Sequence, residues 1–176
     1  MNNALLDRIA SEVRDVPDFP KKGITFKDIT PVLARGQLFR LAVNTLSDRH
    51  HAHNLDYVLG IDARGFIFAG AVAYKLGIGF IPVRKKGKLP YKTHAIDYEL
   101  EYGTEVLEIH QDALRPGAKV LIVDDLLATG GTAAAAAELV TKLGAEVIEI
   151  SFLIELEFLM GRRRLRNYKV FSALKY

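Results

Sequence analysis

The alternation of short apolar runs with helix-type segments most constrains what this chain can fold into. DYVLGID and GFIPVRK are short runs typical of strands, and the segment FIFAGAVAYKLG between them has the length and apolar content of a helix that ends at Gly77. The same alternation returns between Lys119 and Leu174. Because parallel strands need a crossover connection, usually a helix, the pattern predicts an α/β fold with a central, mostly parallel sheet flanked by helices.

Local patterns predict further elements along the chain. Helices are expected at residues 3–14, 37–49, 131–143 and 157–166, strands at 56–62, 79–85, 119–124, 146–154 and 169–174, and two strands joined by a turn within 96–109. The chain has 176 residues, 49% of them apolar, and no repeat or change of composition divides it. A single domain spanning residues 1–176 is therefore predicted.

The stretch VLIVDDLLATGGT carries the strongest functional signal. An apolar run leads into Asp124 and Asp125, and a Thr/Gly turn precedes an alanine-rich segment. In open α/β sheets ligands bind at the carboxyl ends of strands, where the N-terminus of the next helix offers unpaired N–H groups to an anion. Gly130 and Gly131 would let a phosphate approach the backbone, and the carboxylates would accept hydrogen bonds from sugar hydroxyls. Either motif alone is more often an ordinary strand end or turn, but together they predict a ribose-phosphate site.

Several other classes of function are disfavoured. There is no GxxxxGK[ST] loop, no GxGxxG after a strand and no cysteine for a disulfide or a thiolate metal site. The net charge of +3 is too small to indicate nucleic acid. The N-terminus lacks an apolar signal core and the uncharged run from Leu126 to Ala137 is too short for a bilayer. We expect a cytoplasmic protein that contacts neither membrane nor nucleic acid, with His50, His51, His53 and the arginines at 162, 163, 164 and 166 on its surface.

VLIVDDLLATGGT resembles the phosphoribosyl pyrophosphate (PRPP) signature of the type I phosphoribosyltransferases, which is a hydrophobic run, two acidic residues, two or three residues and a Thr-Gly turn. The segments PDFPKKGITFKDITP, IDARGF, VRKKGKLP and LEYG resemble the adenine phosphoribosyltransferases of that family, in that order, and the likeness extends from Ser11 to Tyr176. It implies the type I fold with an N-terminal hood at about residues 15–35 and a flexible loop and flap at about 84–109.

The resemblance also implies a reaction and its participants. Adenine and PRPP would give AMP and pyrophosphate in purine salvage, with Mg²⁺ bound mainly through PRPP and with a homodimer as the assembly. The implied ribose-phosphate contacts are Asp124, Asp125, Ala128, Thr129, Gly130, Gly131 and Thr132. The implied pyrophosphate contacts are Ala63, Arg64, Arg84, Lys85 and Lys88, and the implied adenine contacts are Ile24, Thr25, Phe26 and Lys27. Glu101 matches the residue proposed to exchange a proton with purine N7.

Plainer interpretations and rival functions stand beside these. Phe26 would otherwise be a core aromatic, the cations from Arg84 to Lys92 a solvated face, and Glu101 a solvent-facing strand residue. One rival is a phosphoribosyltransferase for xanthine or another base, against which the hood segment argues. Related hypoxanthine-guanine enzymes typically have Asp at the position of Ala128, which weakens an oxopurine substrate. Another rival is a regulator that senses PRPP or a purine without catalysis.

Overall fold

The computed structural model describes residues 3–19, 21–50, 55–100 and 103–176. Contacts divide the chain into two compact units, residues 1–45 and 46–176. The sequence suggested one domain over the whole chain, and that assignment stays a prediction.

The first unit contains helices and a small antiparallel ladder. Its elements are α1 (Asn3–Ala10), β1 (Arg14–Val16), β2 (Phe26–Asp28), α2 (Thr30–Ala34) and the larger part of α3 (Gly36–Ser47). The helix expected at residues 3–14 is too long, because the chain turns after Ala10 and Arg14–Val16 pairs with Phe26–Asp28 instead. Pairing with β2 satisfies the backbone N–H and C=O groups of Arg14–Val16, which would otherwise form hydrogen bonds within a longer α1. Local helix periodicity does not reveal a pairing partner that lies further along the chain.

The second unit is built on a seven-stranded sheet. Its helices are α4 (Gly65–Leu76) and α5 (Gly131–Lys142). Its strands are β3 (Tyr57–Ile61), β4 (Gly79–Lys85), β5 (Thr93–Leu100), β6 (Gly103–His110), β7 (Lys119–Leu127), β8 (Glu146–Glu155) and β9 (Val170–Lys175). The strand order is β5-β6-β4-β3-β7-β8-β9, with all pairs from β4 to β9 parallel and the β5-β6 hairpin antiparallel at one edge. The predicted mostly parallel α/β sheet and the two strands within 96–109 are thus confirmed.

The centre of this sheet is buried, because β7 lies between β3 and β8 and is covered by helices. Val120 through Val123 have no exposed surface, as expected for a continuous apolar strand in a parallel sheet. Helix α4 packs on β3 and β7, and α5 packs on β5, β7 and β8. Gly77 ends α4 with φ of 69°, and Ile78 N–H donates to the carbonyl of Ala73 at 3.1 Å. This left-handed glycine cap is the one predicted from the sequence.

Two other local predictions need correction. Strand β7 does not end at Asp124 but continues to Leu127, because its backbone stays paired with β8 as far as Glu155. The helix expected at 157–166 is instead two short 3₁₀ helices, Glu157–Leu159 and Gly161–Leu165, separated by Met160 with φ of 52°. A positive φ cannot continue a right-handed α-helix, so the chain cannot form one α-helix through Met160.

Candidate active site

A cavity of about 290 Å³ opens beside the carboxyl ends of β3 and β7. The parallel register of these strands, with Gly60 opposite Val123, brings the segments that follow them to the same edge of the sheet. The cavity is lined by Ile61, Asp62, Ala63, Arg64, Lys85, Tyr98, Glu105, Asp124, Asp125 and Thr132. The structure therefore brings together residues from three separate sequence motifs, IDARG, VRK and VDDLLATGGT.

Asp124 and Asp125 occupy different surroundings although they are adjacent. Asp125 N–H donates to Asp124 Oδ1 at 2.9 Å, and Arg64 Nη2 lies 2.8 Å from Asp125 Oδ2. Burial and then the charge of Asp125 raise the pKa of Asp124 well above its usual range. Burial also raises the pKa of Asp125, although Arg64 opposes that change. The pair is a set of hydrogen-bond acceptors held at an energetic cost, which is typical of a binding site.

The backbone at the start of α4 leaves room for the first of these carboxylates. A Cβ built on Gly65 would overlap Asp124 Oδ1 and approach Asp124 Cγ to 3.2 Å. Only glycine at this position allows the helix after the IDAR segment to pack so closely against β7. The Asp62–Ala63 peptide in that segment is cis.

The Thr/Gly turn forms a second, smaller cavity of about 120 Å³ next to the first. Gly130 has φ of 81° and is followed at once by α5, whose first turn leaves backbone N–H groups without helical partners. The cavity is lined by Asp124, Leu126, Leu127, Ala128, Thr129, Gly130, Thr132, Ala133 and Phe152. The backbone amides, threonine hydroxyls and helix dipole are suited to an anion such as a phosphate.

The cations expected at the pyrophosphate all contact carboxylates. Arg84 Nε lies 3.0 Å and Lys88 Nζ 3.6 Å from Asp62 Oδ2, and Arg84 Nη1 also donates to the Lys88 carbonyl at 3.0 Å. Lys85 Nζ lies 2.7 Å from Glu105, and hydrogen bonding to that carboxylate raises the pKa of Lys85. Of the predicted pyrophosphate residues, Ala63, Arg64 and Lys85 line the larger cavity.

Sequence reasoning missed three polar residues that line the larger cavity, Asp62, Tyr98 and Glu105. Tyr98 is buried on β5 and its hydroxyl donates to Glu105 Oε2 at 3.3 Å across the hairpin. Burial is the main cause that raises the pKa of Tyr98. The alternation of Ile96, Tyr98 and Leu100 was visible, but it does not show which face of the hairpin meets a cavity. Glu101, the predicted proton-exchanging residue, lies outside the described residues.

The residues predicted to bind adenine belong to the first unit. Phe26 lies in β2 and contacts the ring of Phe19 edge-to-face at a centroid distance of 5.3 Å. Lys27 Nζ lies 2.6 Å from Asp15 Oδ1. Ile24 is half-buried and Thr25 is exposed. Their role in base binding stays a prediction.

Two expectations about surface residues were wrong. His50 is buried, with Nε2 3.4 Å from Glu149 Oε1, because the turn after α3 directs it against the sheet. Arg162 is half-buried and pairs with Glu155, so it is not part of a purely solvated arginine face. The sequence feature that could have indicated this pairing is Glu155, an acidic residue at the end of the apolar strand β8. His51 and His53 lie outside the described residues.

Comparison with known proteins decides the family. The model for the phosphoribosyl transferase domain matches residues 32–173. The chain belongs to the phosphoribosyl transferase family. The resemblance carried by the PRPP signature is thereby confirmed. In a separate finding, none of the described helices is both long and apolar enough to cross a membrane.

Relatives within the phosphoribosyl transferase family match nearly end to end. The adenine phosphoribosyltransferase of Roseiflexus castenholzii is 56% identical over 164 residues, which cover 93% of this chain and 95% of that protein. The solved adenine phosphoribosyltransferase of Thermoanaerobacter pseudethanolicus superimposes with a TM-score of 0.95 at 51% identity, covering 97% and 99% of the two chains. That of Saccharomyces cerevisiae has a TM-score of 0.92 at 40% identity, covering 97% of this chain and 99% of that one. The predicted type I fold is confirmed.

Proposed function

We infer that this chain transfers the phosphoribosyl group of PRPP to adenine, which gives AMP and pyrophosphate in purine salvage. The inference is carried by near-complete similarity to adenine phosphoribosyltransferases, one of them from Saccharomyces cerevisiae in complex with adenine and an imino-altritol bisphosphate. It is supported by a cavity in which the Asp pair lies next to the Thr/Gly turn.

The reaction replaces one bond at ribose C1 with another. The C1–O bond of PRPP breaks and its electron pair leaves with pyrophosphate, while adenine N9 bonds to C1 and loses its proton. The ribose gains positive character as the leaving group gains negative charge, so a catalyst needs acceptors near the sugar and cations near the leaving group.

The ribose-phosphate end of this reaction is assigned to β7 and the turn after it. We propose that Asp124 and Asp125, which line the cavity, accept hydrogen bonds from the ribose hydroxyls, because ionised carboxylates are strong acceptors. The 5′-phosphate is proposed to sit on the turn formed by Ala128, Thr129, Gly130, Gly131 and Thr132, where amides and hydroxyls converge at the start of α5.

The pyrophosphate end is assigned to Ala63, Arg64, Arg84, Lys85 and Lys88. Since Arg64, Arg84, Lys85 and Lys88 contact carboxylates of the protein, the arriving pyrophosphate has to compete with Asp125, Asp62 and Glu105 for them. This competition keeps the cations in place before the substrate binds, and it disfavours weakly charged anions.

Adenine is proposed to bind under a hood that includes Ile24, Thr25, Phe26 and Lys27. Backbone groups there would read the edge of the base, and Ala128 offers no carboxylate near N7 of the kind that suits an oxopurine. Glu101 is proposed to exchange a proton with N7. Replacing Glu101 with alanine is expected to lower kcat more than it raises the KM for PRPP, and an unchanged kcat would remove it from the mechanism.

Mg²⁺ and a second subunit complete the proposal. Mg²⁺ prefers oxygen ligands and keeps part of its water shell, so we propose that it would be bound mainly through PRPP, with few direct protein ligands, and would supply charge neutralisation for the pyrophosphate. We propose a homodimer, as the family resemblance implies, and α4, on which Ile67 is 42% and Tyr74 90% exposed, is the face at which this can be tested. Sedimentation of a Tyr74→Asp variant as a monomer would agree with a dimer through this face. Location in the cytoplasm stays a prediction.

The deciding experiment offers adenine, hypoxanthine, guanine and xanthine separately with PRPP and Mg²⁺, and measures pyrophosphate release. Turnover with adenine alone is the expected result. Preference for an oxopurine would retain the PRPP site but overturn the base assignment. PRPP binding without turnover on any base would support a regulator instead.

A further inference from the structure

The segment after Met160 touches the Thr/Gly turn with its backbone. Gly161 is buried, and a Cβ built on it would overlap the Ala128 carbonyl oxygen and lie 2.8 Å from Leu127 Cδ1. Conversely, a Cβ built on Gly130 would overlap the Gly161 carbonyl oxygen and lie 3.3 Å from Gly161 Cα. The two segments therefore fit together only because neither residue has a side chain.

The next residue anchors this contact. Arg162 Nε lies 2.7 Å from Glu155 Oε1 and its Nη2 lies 2.8 Å from Glu155 Oε2, which is a two-pronged pair. Its Nη1 donates to the Val170 carbonyl at 3.0 Å and its Nη2 to Ser172 Oγ at 3.3 Å. Arg162 is thus bound to the last residue of β8 and to two residues in the first half of β9. Its neighbour Arg163 is exposed and forms no ion pair with a described residue.

The same anchor is joined to β7. Glu155 is the last residue of β8 and its side chain is only 5% exposed. The following N–H, of Leu156, donates to the Leu127 carbonyl at 2.9 Å, directly before the Thr/Gly turn. The turn therefore contacts Gly161, the neighbouring Arg162 pairs with Glu155, and the residue after Glu155 bonds Leu127 at the start of the turn.

We propose that Gly161 and the Glu155–Arg162 pair are positioning residues for the 5′-phosphate. They pack against the turn at the Ala128 carbonyl and at Gly130, so that the amide groups of the turn keep their geometry toward the phosphate without rearrangement on binding. This inference rests on the proposed function for the identity of the ligand. None of these residues needs to touch the substrate.

The proposal predicts a selective loss of affinity for phosphate-bearing ligands. Gly161→Ala adds one methyl group against the turn, and φ at Gly161 is not in the left-handed region, so steric contact is the main perturbation. Arg162→Lys keeps the charge but removes the fork that engages Glu155. The matched controls are Gly36→Ala, where an added Cβ meets nothing within 4 Å, and Arg163→Lys.

The test measures ribose 5-phosphate binding by calorimetry together with the KM values for PRPP and adenine. Gly161→Ala is expected to weaken ribose 5-phosphate binding and to raise the PRPP KM, each by about tenfold. Arg162→Lys is expected to change the same two constants by about threefold to tenfold. In both variants the adenine KM should stay within twofold of the wild type, and the two control variants should change none of these constants. The proposal would be overturned if Arg162→Lys lowered Tm but kept its ribose 5-phosphate affinity within twofold of the wild type. If Gly161→Ala does not fold, Arg162→Lys alone decides the test. If the wild type binds ribose 5-phosphate but converts no adenine, the proposed function fails while the binding comparison still decides this inference.

Discussion

At the scale of single residues, the Asp pair shows how a binding site costs stability. Asp124 is half-buried, and its main polar contact among those described is the backbone N–H of Asp125 at 2.9 Å. Asp125 has Arg64 as an ionic partner at 2.8 Å. The two neighbouring carboxyls have raised pKa values but differ in how far a partner offsets the cost of their burial. Replacing each by its amide should therefore change the free energy of unfolding by different amounts.

Asp124→Asn is expected to stabilise the ligand-free protein by about 1 kcal/mol at pH 8 while raising the PRPP KM tenfold or more, because a poorly compensated charge and a strong acceptor are lost together. A raised pKa means that the folded state holds its proton more tightly than the unfolded state. Wild-type stability therefore falls as pH rises through the folded pKa, and the gain from Asn shrinks at pH 5.

Urea unfolding at pH 8 and pH 5, combined with steady-state kinetics, measures both effects. Asp125→Asn is the matched comparison, and it should give no stabilisation because it leaves the Arg64 guanidinium without its carboxylate. Equal stability changes in the two variants would contradict this account.

At the scale of elements, β4 and the β5-β6 hairpin present charge to the cavity through strand register. Arg84 pairs with Glu108 and Lys85 with Leu107 across β4 and β6, and the turn after β4 begins at once. Both lysines are exposed, but Lys85 lines the cavity and its Nζ donates to Glu105 Oε1, whereas Lys86 contributes its backbone N–H to the Val106 carbonyl. Adjacent lysines on one basic segment are therefore not equivalent.

Lys85→Ala is expected to raise the KM for PRPP, and for pyrophosphate in the reverse direction, about tenfold, which corresponds to one charge-assisted hydrogen bond of about 1.4 kcal/mol. Lys86→Ala serves as the control and should change neither constant by more than twofold. Kinetics in both directions give the comparison. If the two alanine variants lose the same amount, the cations act as a diffuse field and not through Lys85 in particular.

At the scale of the second unit, a buried charge cluster joins segments far from the cavity. Glu149 on β8 is 1% exposed and receives Arg49 at 3.2 Å, Lys169 at 3.0 Å and Ser151 Oγ at 2.9 Å. Burial alone would raise the pKa of Glu149, but hydrogen bonding by His50, Lys169, Arg49 and Ser151 outweighs it and holds the pKa well below its usual range. The cluster connects the turn after α3 with β8 and the start of β9.

Glu149→Gln is expected to lower the free energy of unfolding by about 2 kcal/mol at pH 7, or Tm by about 5 °C, because it removes the buried carboxylate that Arg49 and Lys169 share. A lowered pKa means that this stabilisation is complete above the ordinary Glu value of 4.5 and is lost as pH falls below it. The difference between variant and wild type should therefore be full at pH 7 and smaller at pH 3.5.

Chemical denaturation at both pH values tests this expectation. Glu146→Gln is the matched control, since Glu146 lies on the same strand but is exposed and forms no ion pair with a described residue. A difference between Glu149→Gln and wild type that does not change with pH would rule out the carboxylate charge as its cause.

The amino-acid sequence by itself determined the features that depend on neighbours along the chain. The period of apolar residues predicted β3, α4, β4, β7, α5 and β8, and Gly77 marked the end of α4, because strand and helix repeats and glycine caps are local. The run from Val120 to Thr132 indicated the family, since its acidic residues and its turn follow one another directly.

Only the tertiary structure decided which distant groups meet. The pairing of Arg64 with Asp125, the contact of Gly161 with Gly130 and the burial of His50 beside Glu149 join residues brought together by parallel strand register. Local repeats carry no information on that register. For the same reason the sequence did not predict that Met160 would interrupt the helix expected at 157–166, or that Arg162 would pair with Glu155. Charge compensation and backbone fit are properties of the packed sheet, because both depend on distances of a few ångströms between segments that the sequence separates.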